Sequence, residues 1–441
     1  MKKDLMQKIV SLSKRRGFIF QTAEIYGGLS SCYDYGPLGV ELKNNVKKAW
    51  WKDMVQKRND VVGLDSSILT PEIVWKASGH LESFTDPLVD CKKCKHRFRE
   101  DQLKKKECPD CGGELSEARQ FNLLMKTKLG AVEGEGEDAY MRGETCQGIY
   151  LDYLNVKDSM RKKLPFGIAQ IGKAFRNEIT PGNFVFRTRE FEQMEMQYFV
   201  KPGDAKGHYD TWREWTMDWY KNLVSQPENL RWRQHESDEL AHYAKEAWDI
   251  EYKTPFEGWS EFAGVHNRGD WDLSRHGKYS GVDMNYVDPE TNDKFIPWVE
   301  EVSMGADRAA LLFLIDAYTE VDTRSGDNKS KHVKEVVLRF HKDIAPIKIA
   351  FLPLSKKESL ANLAKEVQTG IAGHLMTMYD ETGSIGKRYR RQDEIGTPYC
   401  VTVDFDSLED KAVTVRDRDT MEQVRIKIKE LGVYFHDKFQ S

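Results

Sequence analysis

The sequence predicts an α+β fold in two parts, a large N-terminal part containing a β-hairpin and a compact C-terminal α/β module. Three observations predict it. Residues 168–200 have the pattern of two long strands, four cysteines cluster between positions 91 and 111, and strands and helices alternate beyond Pro346. The chain has 441 residues, which is enough for about three domains.

Composition excludes two classes of protein. Lys and Arg number 67 and Asp and Glu number 71, so the net charge of −4 excludes a globally basic nucleic-acid wrapper, although not local basic patches. The longest apolar run, 309–315, is far shorter than the ~20 residues that span a bilayer. Residues 1–4 do not resemble a signal peptide, and we expect a cytoplasmic protein.

The elements before the cysteines are short. Residues 1–30 have a helical pattern that gives way to a loop at Gly27-Gly28. Pro37 suits the first position of a helix, and apolar residues at helical spacing extend that helix from Leu38 to about Lys57. A short strand is expected at 61–65.

The four clustered cysteines predict a structural zinc site within residues 88–115. Cys91-x2-Cys94 and Cys108-x2-Cys111 can close a tetrahedron of thiolates, which leaves no open position for a substrate. The alternative is four reduced thiols without a metal. The loop is basic, which suits either contact with RNA phosphates or a solvated surface.

The hairpin carries an unusual polar face. A turn at 180–183 joins its strands. On the second strand one face holds Arg187, Arg189, Phe191, Gln193, Glu195 and Gln197. Arg176 and Glu178 share a face at the end of the first strand. Arginines suit phosphate, a ring can stack on a base and a carboxylate can accept from an amino group, so the face suits a polar ligand. An exposed ladder of salt bridges is the alternative.

The remaining elements follow in order. Residues 204–256 are expected to be mainly helical, with a capped helix after Ser237. Turns at Gly and Asp follow from 257, then a strand at 295–299 and a helix near Gly305, so Glu301, Ser303 and Arg308 lie where a strand passes into a helix. A polar surface loop is expected at 321–330.

The C-terminal module is expected at 346–441. Its predicted elements are the strands 347–352, 377–380, 399–403 and 412–416 and the helices 356–369, 384–395 and 420–431. Lys387-Arg388-Tyr389-Arg390-Arg391 suits RNA contact or a solvated helix face.

Three ordered motifs resemble those of the class II aminoacyl-tRNA synthetases. They are Gly36-Pro37 with its helix, Phe175-Arg176-Asn177-Glu178 with Arg187, and Gly305-Ala306-Asp307-Arg308. Other stretches resemble the dimeric glycyl-tRNA synthetases, among them 33–39, 77–80, 187–191 and 391–398. The resemblance implies an antiparallel-sheet catalytic core at 1–345 with a zinc-ribbon insertion, and an anticodon-binding domain at 346–441.

The resemblance also implies the site. Arg176 and Arg308 would be catalytic, Glu178 would accept from the adenine amino group, Phe191 would stack on adenine, and Arg187 would reach the outer phosphates. The full ATP set comprises Arg176, Asn177, Glu178, Phe186, Arg187, Phe191, Glu261, Phe262, Gly305, Ala306, Asp307 and Arg308. The glycine set comprises Arg99, Arg142, Glu144, Phe191, Gln193, Glu195, Glu301, Ser303 and Gly305. Zinc would be held by Cys91, Cys94, Cys108 and Cys111.

The implied activity is ATP-dependent activation of glycine and transfer of glycyl to tRNA(Gly), with ATP and Mg²⁺, structural Zn²⁺ and a homodimer. Gly143 and Cys146 depart from the Pro and Ala that the family usually shows there. Two other functions remain open at this point: a related class II ligase with another substrate, and a zinc-dependent RNA-binding protein without catalysis.

Overall fold

The N-terminal segment forms two helices and three short strands. The structure, a computed structural model, describes residues 2–103, 105–131, 136–179, 182–241, 243–322 and 334–440. The first elements are α1 (Lys2–Arg16), β1 (Ile19–Gln21), β2 (Tyr33–Tyr35), α2 (Pro37–Trp51) and β3 (Val61–Gly63). Pro37 is at the start of α2, and a π-helical turn, Lys52–Gln56, extends the helix, so the predicted helix is confirmed.

Two small sheets follow, and the cysteines lie on one of them. The elements are β4 (Leu69–Pro71), α3 (Glu72–Ser78), α4 (His80–Ser83), β5 (Thr85–Asp90), β6 (Arg97–Arg99), β7 (Arg119–Asn122), β8 (Met125–Leu129), β9 (Glu137–Met141), α5 (Cys146–Leu151) and α6 (Tyr153–Ser159). Strands β6-β5-β7 form the ribbon, and β4-β9-β8 form the second sheet.

The predicted hairpin is confirmed, as β10 (Phe166–Phe175) and β11 (Glu190–Val200) pair antiparallel with Gln170 opposite Glu195. Thr180 and Pro181 of its turn lie outside the described residues. The next elements are α7 (Ala205–Lys221), β12 (Leu230–Gln234), β13 (Glu246–Thr254), β14 (Gly258–Gly269), α8 (Trp271–Ser280), β15 (Tyr286–Val287), β16 (Lys294–Phe295), β17 (Trp298–Gly305), α9 (Ala306–Ala317), β18 (Tyr318–Asp322) and β19 (Lys334–Leu338).

A seven-stranded sheet in the order β12-β13-β14-β17-β11-β10-β3 is the centre of the N-terminal part. All its pairings are antiparallel except that of β3 with β10. Side chains alternate between the faces, so Met194, Met196 and Val302 enter the buried core beneath α7 and α9. The intervening residues of β11 and β17 face the opposite side.

Two expectations for this region are wrong. Residues 204–256 are not mainly helical, because α7 is followed by β12 and β13 of the central sheet. Among the described residues, no helix begins at Ser237. The spacing of Leu240, Ala244 and Ala247 resembles a helical stripe, but Ala247 pairs with His266 on β14. The turns expected from residue 257 are instead the twelve-residue strand β14.

The C-terminal module is a five-stranded sheet in the order β21-β20-β22-β23-β24 with helices on it. Its elements are β20 (Ile349–Pro353), α10 (Glu358–Ile371), β21 (Thr377–Tyr379), α11 (Ile385–Ile395), β22 (Tyr399–Val403), α12 (Asp406–Asp410), β23 (Ala412–Asp417), β24 (Gln423–Lys427) and α13 (Leu431–Gln440). The helix expected over 420–431 is wrong. Residues 423–427 form a strand because they pair with β23, and the helix begins at Leu431.

The two parts contact each other through α1, β19 and α11. Arg16 Nε donates to Glu394 Oε2 at 2.6 Å, and Glu335 of β19 pairs with Arg390 of α11. Of the polar loop expected at 321–330, residues 321 and 322 end β18 and the rest lie outside the described residues. No helix within the described ranges is long and apolar enough to cross a membrane.

The basic run 387–391 is largely occupied by contacts within the module. Arg388 is buried, and its guanidinium donates to the carbonyls of Glu381 and Gly383 at 2.8 Å. Arg390 pairs with Glu335 and Arg391 pairs with Asp380. These arginines therefore hold loops and neighbouring strands in place.

Candidate active site

A cavity of about 290 Å³ opens on the polar face of the central sheet. Its floor consists of β11, β14 and β17, and its walls come from the hairpin ends and the start of α9. The alternation predicted for β11 is confirmed, because Phe191, Gln193 and Glu195 line the cavity while Met194 and Met196 are buried in the core. One end of the cavity is cationic and the other is acidic.

Three arginines, Arg176, Arg187 and Arg308, lie at the cationic end. The Arg176 guanidinium lies 5.3 Å from the centre of the Phe191 ring, and its Nε donates to the Gly143 carbonyl at 3.0 Å. Arg308, from the first turn of α9, lies 4.6 Å from the centre of the Phe186 ring. Cations beside aromatic rings can hold phosphate and leave a flat space for a base.

Glu178 is the acceptor at this end of the cavity. It is buried, and its Oε2 has no hydrogen-bond partner among the described residues. Arg187 Nη1 is 3.8 Å from that oxygen, beyond hydrogen-bond distance. A buried carboxylate oxygen without a donor is costly, so it is ready to accept from a bound amino group.

Glu144 begins the acidic end. Three donors surround its Oε1: Cys146 Sγ at 3.0 Å, Gln147 Nε2 at 3.0 Å and His80 Nε2 at 3.1 Å. Burial opposes ionisation, but the charge and hydrogen bond of His80 and the charge of Arg268 hold the pKa of Glu144 well below its ordinary value. Glu144 is therefore an anion at neutral pH.

Glu195 and Glu301 lie on neighbouring strands and differ in charge. Burial, followed by the charges of Glu301 and Glu144, raises the pKa of Glu195 well above its ordinary value, although Thr145 Oγ1 donates to it. For Glu301 burial also opposes ionisation, but Arg268 and His266 lower the pKa to about 2. The surroundings therefore favour the protonated form of Glu195 and the ionised form of Glu301.

Buried partners hold Glu301 on both of its oxygens. Arg268 Nη1 donates to Oε2 at 3.0 Å and Gln197 Nε2 donates to the same oxygen at 2.8 Å. His266 Nδ1 lies 2.6 Å from Oε1. Arg268 also donates from Nε to Asp272 at 2.8 Å, and the Tyr243 ring covers its guanidinium at 3.7 Å.

Most residues expected at the site line the cavity. They are Glu144, Arg176, Glu178, Phe186, Arg187, Phe191, Gln193, Glu195, Glu261, Phe262, Glu301, Ser303, Gly305, Asp307 and Arg308. Asp307 also accepts from the Glu192 amide at 2.6 Å, which ties α9 to β11. Glu261 lies at the rim, 3.3 Å from Arg308 Nη1.

Four expected residues do not line the cavity. The Arg142 Nη1 and Nε atoms donate to the carbonyls of Ser66 and Lys173 at 2.8 and 2.6 Å. Arg99 pairs with Asp86 at 3.0 Å on the ribbon. Asn177 donates its backbone amide to the Leu123 carbonyl at 2.8 Å, and Ala306 is buried in the core.

Six further residues line the cavity without having been expected there: Val185, Thr188, Tyr243, Gly264, His266 and Arg268. Phe262, Gly264, His266 and Arg268 recur at every second position of β14, the spacing of one face of a strand. Once residues 258–269 are recognised as a strand, that periodicity identifies Gly264, His266 and Arg268.

The four clustered cysteines form a site that fits zinc. All seven cysteines of the chain are free thiols, and the sulfur atoms at 91, 94, 108 and 111 lie within 4.8 Å of one another. Cys91 Sγ is 3.5 Å from Cys111 Sγ, and Cys94 Sγ is 3.6 Å from Cys108 Sγ. A zinc tetrahedron with bonds of about 2.3 Å separates its sulfurs by about 3.8 Å. The donor set therefore suits Zn²⁺, and with four thiolates its role would be structural.

Two family models match the chain. The model described as the tRNA synthetase class II core domain (G, H, P, S and T) matches residues 130–318. The model described as the anticodon binding domain matches residues 348–438. The first covers most strands of the cavity and the second covers the C-terminal module.

Curated proteins similar over nearly the whole chain carry the name glycine–tRNA ligase. That of Treponema denticola is 56% identical over 432 residues, 97% of this chain and 95% of that protein. That of Clostridium acetobutylicum is 54% identical over 465 residues, 99% of each chain. That of Geobacillus kaustophilus is 50% identical over 462 residues, 98% of each chain.

Proposed function

The chain belongs to the glycine–tRNA ligases, and on that premise we propose that its cavity converts glycine and ATP to glycyl-adenylate and passes glycyl to the 3′ end of tRNA(Gly). The observation that carries the proposal is the division of one cavity into an arginine end and a glutamate end. A polyphosphate suits the first and the ammonium group of an amino acid suits the second. Such a cavity brings a carboxylate and a phosphorus atom together.

The cationic end binds ATP in this proposal. Glu178 Oε2 accepts from the adenine amino group, because it is a buried acceptor without a donor. Adenine lies between Phe191 and Arg308, while Arg176 contacts the α-phosphate and Arg187 the outer phosphates. Glu261, at the rim beside Arg308, is the carboxylate that would hold Mg²⁺ with the nucleotide.

The acidic end binds glycine. Its ammonium group lies among Glu144, Glu195 and Glu301, with Ser303 beside the last of these. Glycine has no side chain to recognise, so selectivity depends on excluding larger amino acids from a narrow space. A cation entering beside Glu195 also favours its ionised form, so binding lowers the raised pKa of this carboxyl group.

The chemistry needs no nucleophile from the protein. A glycine carboxylate oxygen attacks the α-phosphorus, the bond from that phosphorus to the bridging oxygen breaks, and pyrophosphate leaves. Arg176 and Arg308 stabilise the charge that develops on the phosphoryl oxygens. A ribose hydroxyl of the tRNA then attacks the glycyl carbonyl carbon and loses its proton. The bond from that carbon to the bridging oxygen breaks, and AMP leaves with that oxygen.

Assembly and location extend the proposal. We expect a homodimer formed around the first motif. In the segment between β1 and β2, just before this motif, Ile25 and Tyr26 are each 87% exposed and Leu29 is 52% exposed. Apolar side chains this exposed are typical of contact surfaces. We also propose that residues 1–345 and 346–441 are the two domains, that the second contacts the anticodon, and that the protein acts in the cytoplasm.

The test is pyrophosphate exchange into ATP driven by glycine, alanine or serine, followed by charging of tRNA. We expect exchange with glycine alone, and a loss of about 100-fold or more in Glu195→Ala and Glu301→Ala. Glu409→Ala, at an exposed position of α12, is the matched control. No exchange with glycine, or faster exchange with alanine or serine, would contradict the proposal.

A further inference from the structure

A row of alternating acidic and imidazole side chains crosses four neighbouring strands, from the glycine end of the cavity to the edge of the sheet. Glu301 lies on β17, His266 on β14, Asp249 on β13 and His235 directly after β12. The separations along the row are 2.6 Å from Glu301 Oε1 to His266 Nδ1, 3.9 Å from His266 Nε2 to Asp249 Oδ1, and 2.6 Å from Asp249 Oδ2 to His235 Nε2.

The register of the sheet builds this row. His266 is directly opposite Glu301 on the neighbouring strand, and Asp249 is opposite Gly264. A Cβ atom on Gly264 would lie 2.8 Å from His266 Nε2 and 3.5 Å from Asp249 Oδ1. The imidazole therefore reaches towards Asp249 through space that a glycine leaves open.

The row also fixes the charge of its members. Burial disfavours protonation of His266, but the neighbouring Asp249 carboxylate and the hydrogen-bonded Glu301 carboxylate raise its pKa to about 10. Burial opposes the ionisation of Asp249, but the imidazoles of His266 and His235 lower its pKa. Other titratable or charged groups face this row. At the glycine end they are Glu144, Cys146, Glu195, Tyr243, Arg268 and Asp272, and at the other end Arg233 Nη1 is 3.8 Å from Asp249 Oδ2.

The contacts of Glu301 show what an imidazolium at position 266 does. A carboxylate offers about four lone-pair directions. Arg268 and Gln197 occupy two of them on Oε2, and His266 occupies one on Oε1. About one direction remains for a ligand, so the donor at position 266 determines where that direction points.

We propose that His266, supported by Asp249, is a positioning residue for amino-acid recognition: it holds Glu301 so that a single acceptor direction of this carboxylate meets the glycine ammonium. The inference rests on the proposed function of the cavity. His266 lies outside the three sequence motifs, and its role follows from its contact with Glu301 and from the space at Gly264.

Three variants test the inference in glycine-dependent pyrophosphate exchange. His266→Ala should raise the KM for glycine about tenfold and leave the KM for ATP within about twofold, since the loss is confined to one end of the cavity. It should also move the acidic limb of the kcat/KM profile for glycine upward by about one pH unit, because a cation beside Glu301 and Glu195 is lost. Asp249→Asn should change both quantities in the same direction and by less.

His266→Asn separates position from charge. Its amide nitrogen can stand where Nδ1 stands, so it should restore most of the KM for glycine, but as a neutral group it should leave the acidic limb shifted. His374→Ala, on the exposed surface of the C-terminal module, is the matched control and should behave as wild type.

The outcomes are distinct. A His266→Ala protein with the glycine KM and pH profile of wild type would overturn the inference. So would a variant in which the KM values for glycine and ATP rise together, since that pattern indicates a general loss of structure. A wild-type protein without any glycine-dependent exchange would instead contradict the proposed function.

Discussion

Glu300 and Glu301 are consecutive residues of β17, yet the sheet shifts the pKa values of their carboxyl groups in opposite directions. Glu301 faces the cavity, where Arg268 and His266 lower its pKa to about 2 in spite of burial. Glu300 points to the other face and is fully buried, and burial, with the charge of Glu246 as the next cause, raises its pKa to about 9. Among the described residues, the Glu300 carboxyl group has one hydrogen bond, from Asn267 Nδ2 to Oε1 at 2.9 Å.

Glu300→Gln should stabilise the protein at neutral and alkaline pH. Between the ordinary carboxyl pKa and about 9 the folded state binds a proton at Glu300 that the unfolded state releases, so wild-type stability falls as pH rises through this window. A neutral amide removes the effect. Relative to the variant, the wild-type protein should lose up to about 1.4 kcal/mol per pH unit.

Denaturant unfolding at pH 4.5, 6 and 8 measures this difference. The two proteins should be nearly equal at the lowest pH and diverge steadily above it. Glu409→Gln, at an exposed site, should track wild type throughout. A constant offset between Glu300→Gln and wild type at all three pH values would contradict the neutral state of Glu300.

Glu178 gives a prediction at the other end of the cavity. Glu178→Gln keeps the size of the side chain but replaces the charged acceptor, and a hydrogen bond to a charged group contributes about 1.5–3 kcal/mol. We expect the KM for ATP to rise about tenfold, with the KM for glycine within about twofold. Steady-state exchange with each substrate varied measures this. A rise in the glycine KM alone would place Glu178 at the wrong end of the cavity.

At the scale of elements, the cysteine ribbon is tied to the hairpin that lines the cationic end of the cavity. The Leu123 carbonyl, just after β7, accepts from the Asn177 amide at 2.8 Å, next to Glu178. Asn122 Nδ2 donates to the His80 carbonyl at 3.0 Å, and His80 contacts Glu144. The end of the ribbon therefore contacts the backbone of segments at both ends of the cavity. It supplies no side chain to the cavity lining among the described residues.

Cys111→Ser should abolish zinc binding, because a structural zinc site needs four protein ligands and supplies the folding energy of a small module. We expect zinc content to fall to background by mass spectrometry, and trypsin to cleave residues 91–115 about tenfold faster as the ribbon opens locally. Cys32→Ser, remote from the cluster in sequence, is the control. Retention of zinc and of protease resistance in Cys111→Ser would contradict the four-thiolate site.

The elements also show what local patterns can predict. The hairpin was predictable because its alternation and its turn agree, and α2 because Pro37 and the apolar spacing agree. Strand β14 was not predictable from its local pattern, because Gly258, Gly264 and Gly269 suggest turns. The segment is a strand because it pairs with β13 and β17. His266 and Arg268 were missed with it. Strand β24 was mistaken for a helix for the same reason, because pairing with β23 overrides its local preference.

At the scale of the whole molecule, the two parts meet around Phe340 and Gly396. Arg418 donates to the carbonyls of both residues at 2.8 Å, from Nη2 and Nη1 respectively. Gly396 has φ of +78°, which favours glycine. A Cβ at this position would collide with the Phe340 ring and lie 2.9 Å from the Leu338 carbonyl.

Gly396→Ala should loosen this junction without changing the cavity. A positive φ and a backbone clash together cost about 1–3 kcal/mol. We expect pyrophosphate exchange within about twofold of wild type and charging of tRNA reduced about fivefold or more, since charging needs both parts correctly placed. Gly370→Ala, where a Cβ meets nothing within 4 Å, is the matched control. Equal losses in exchange and charging would show that the junction also holds the cavity.

The pair of Arg16 and Glu394 joins residues that are 378 positions apart. Synthesis proceeds at about 5–20 residues per second, so α11 is synthesised about 20–80 s after α1. The contact between the two helices cannot form before then. The acidic end of the cavity shares this delay, since its carboxyl groups extend from Glu144 to Glu301 and no shorter N-terminal fragment contains them all. A nascent chain shorter than about 300 residues therefore lacks part of this acidic end, and the contact of α1 with α11 forms later still.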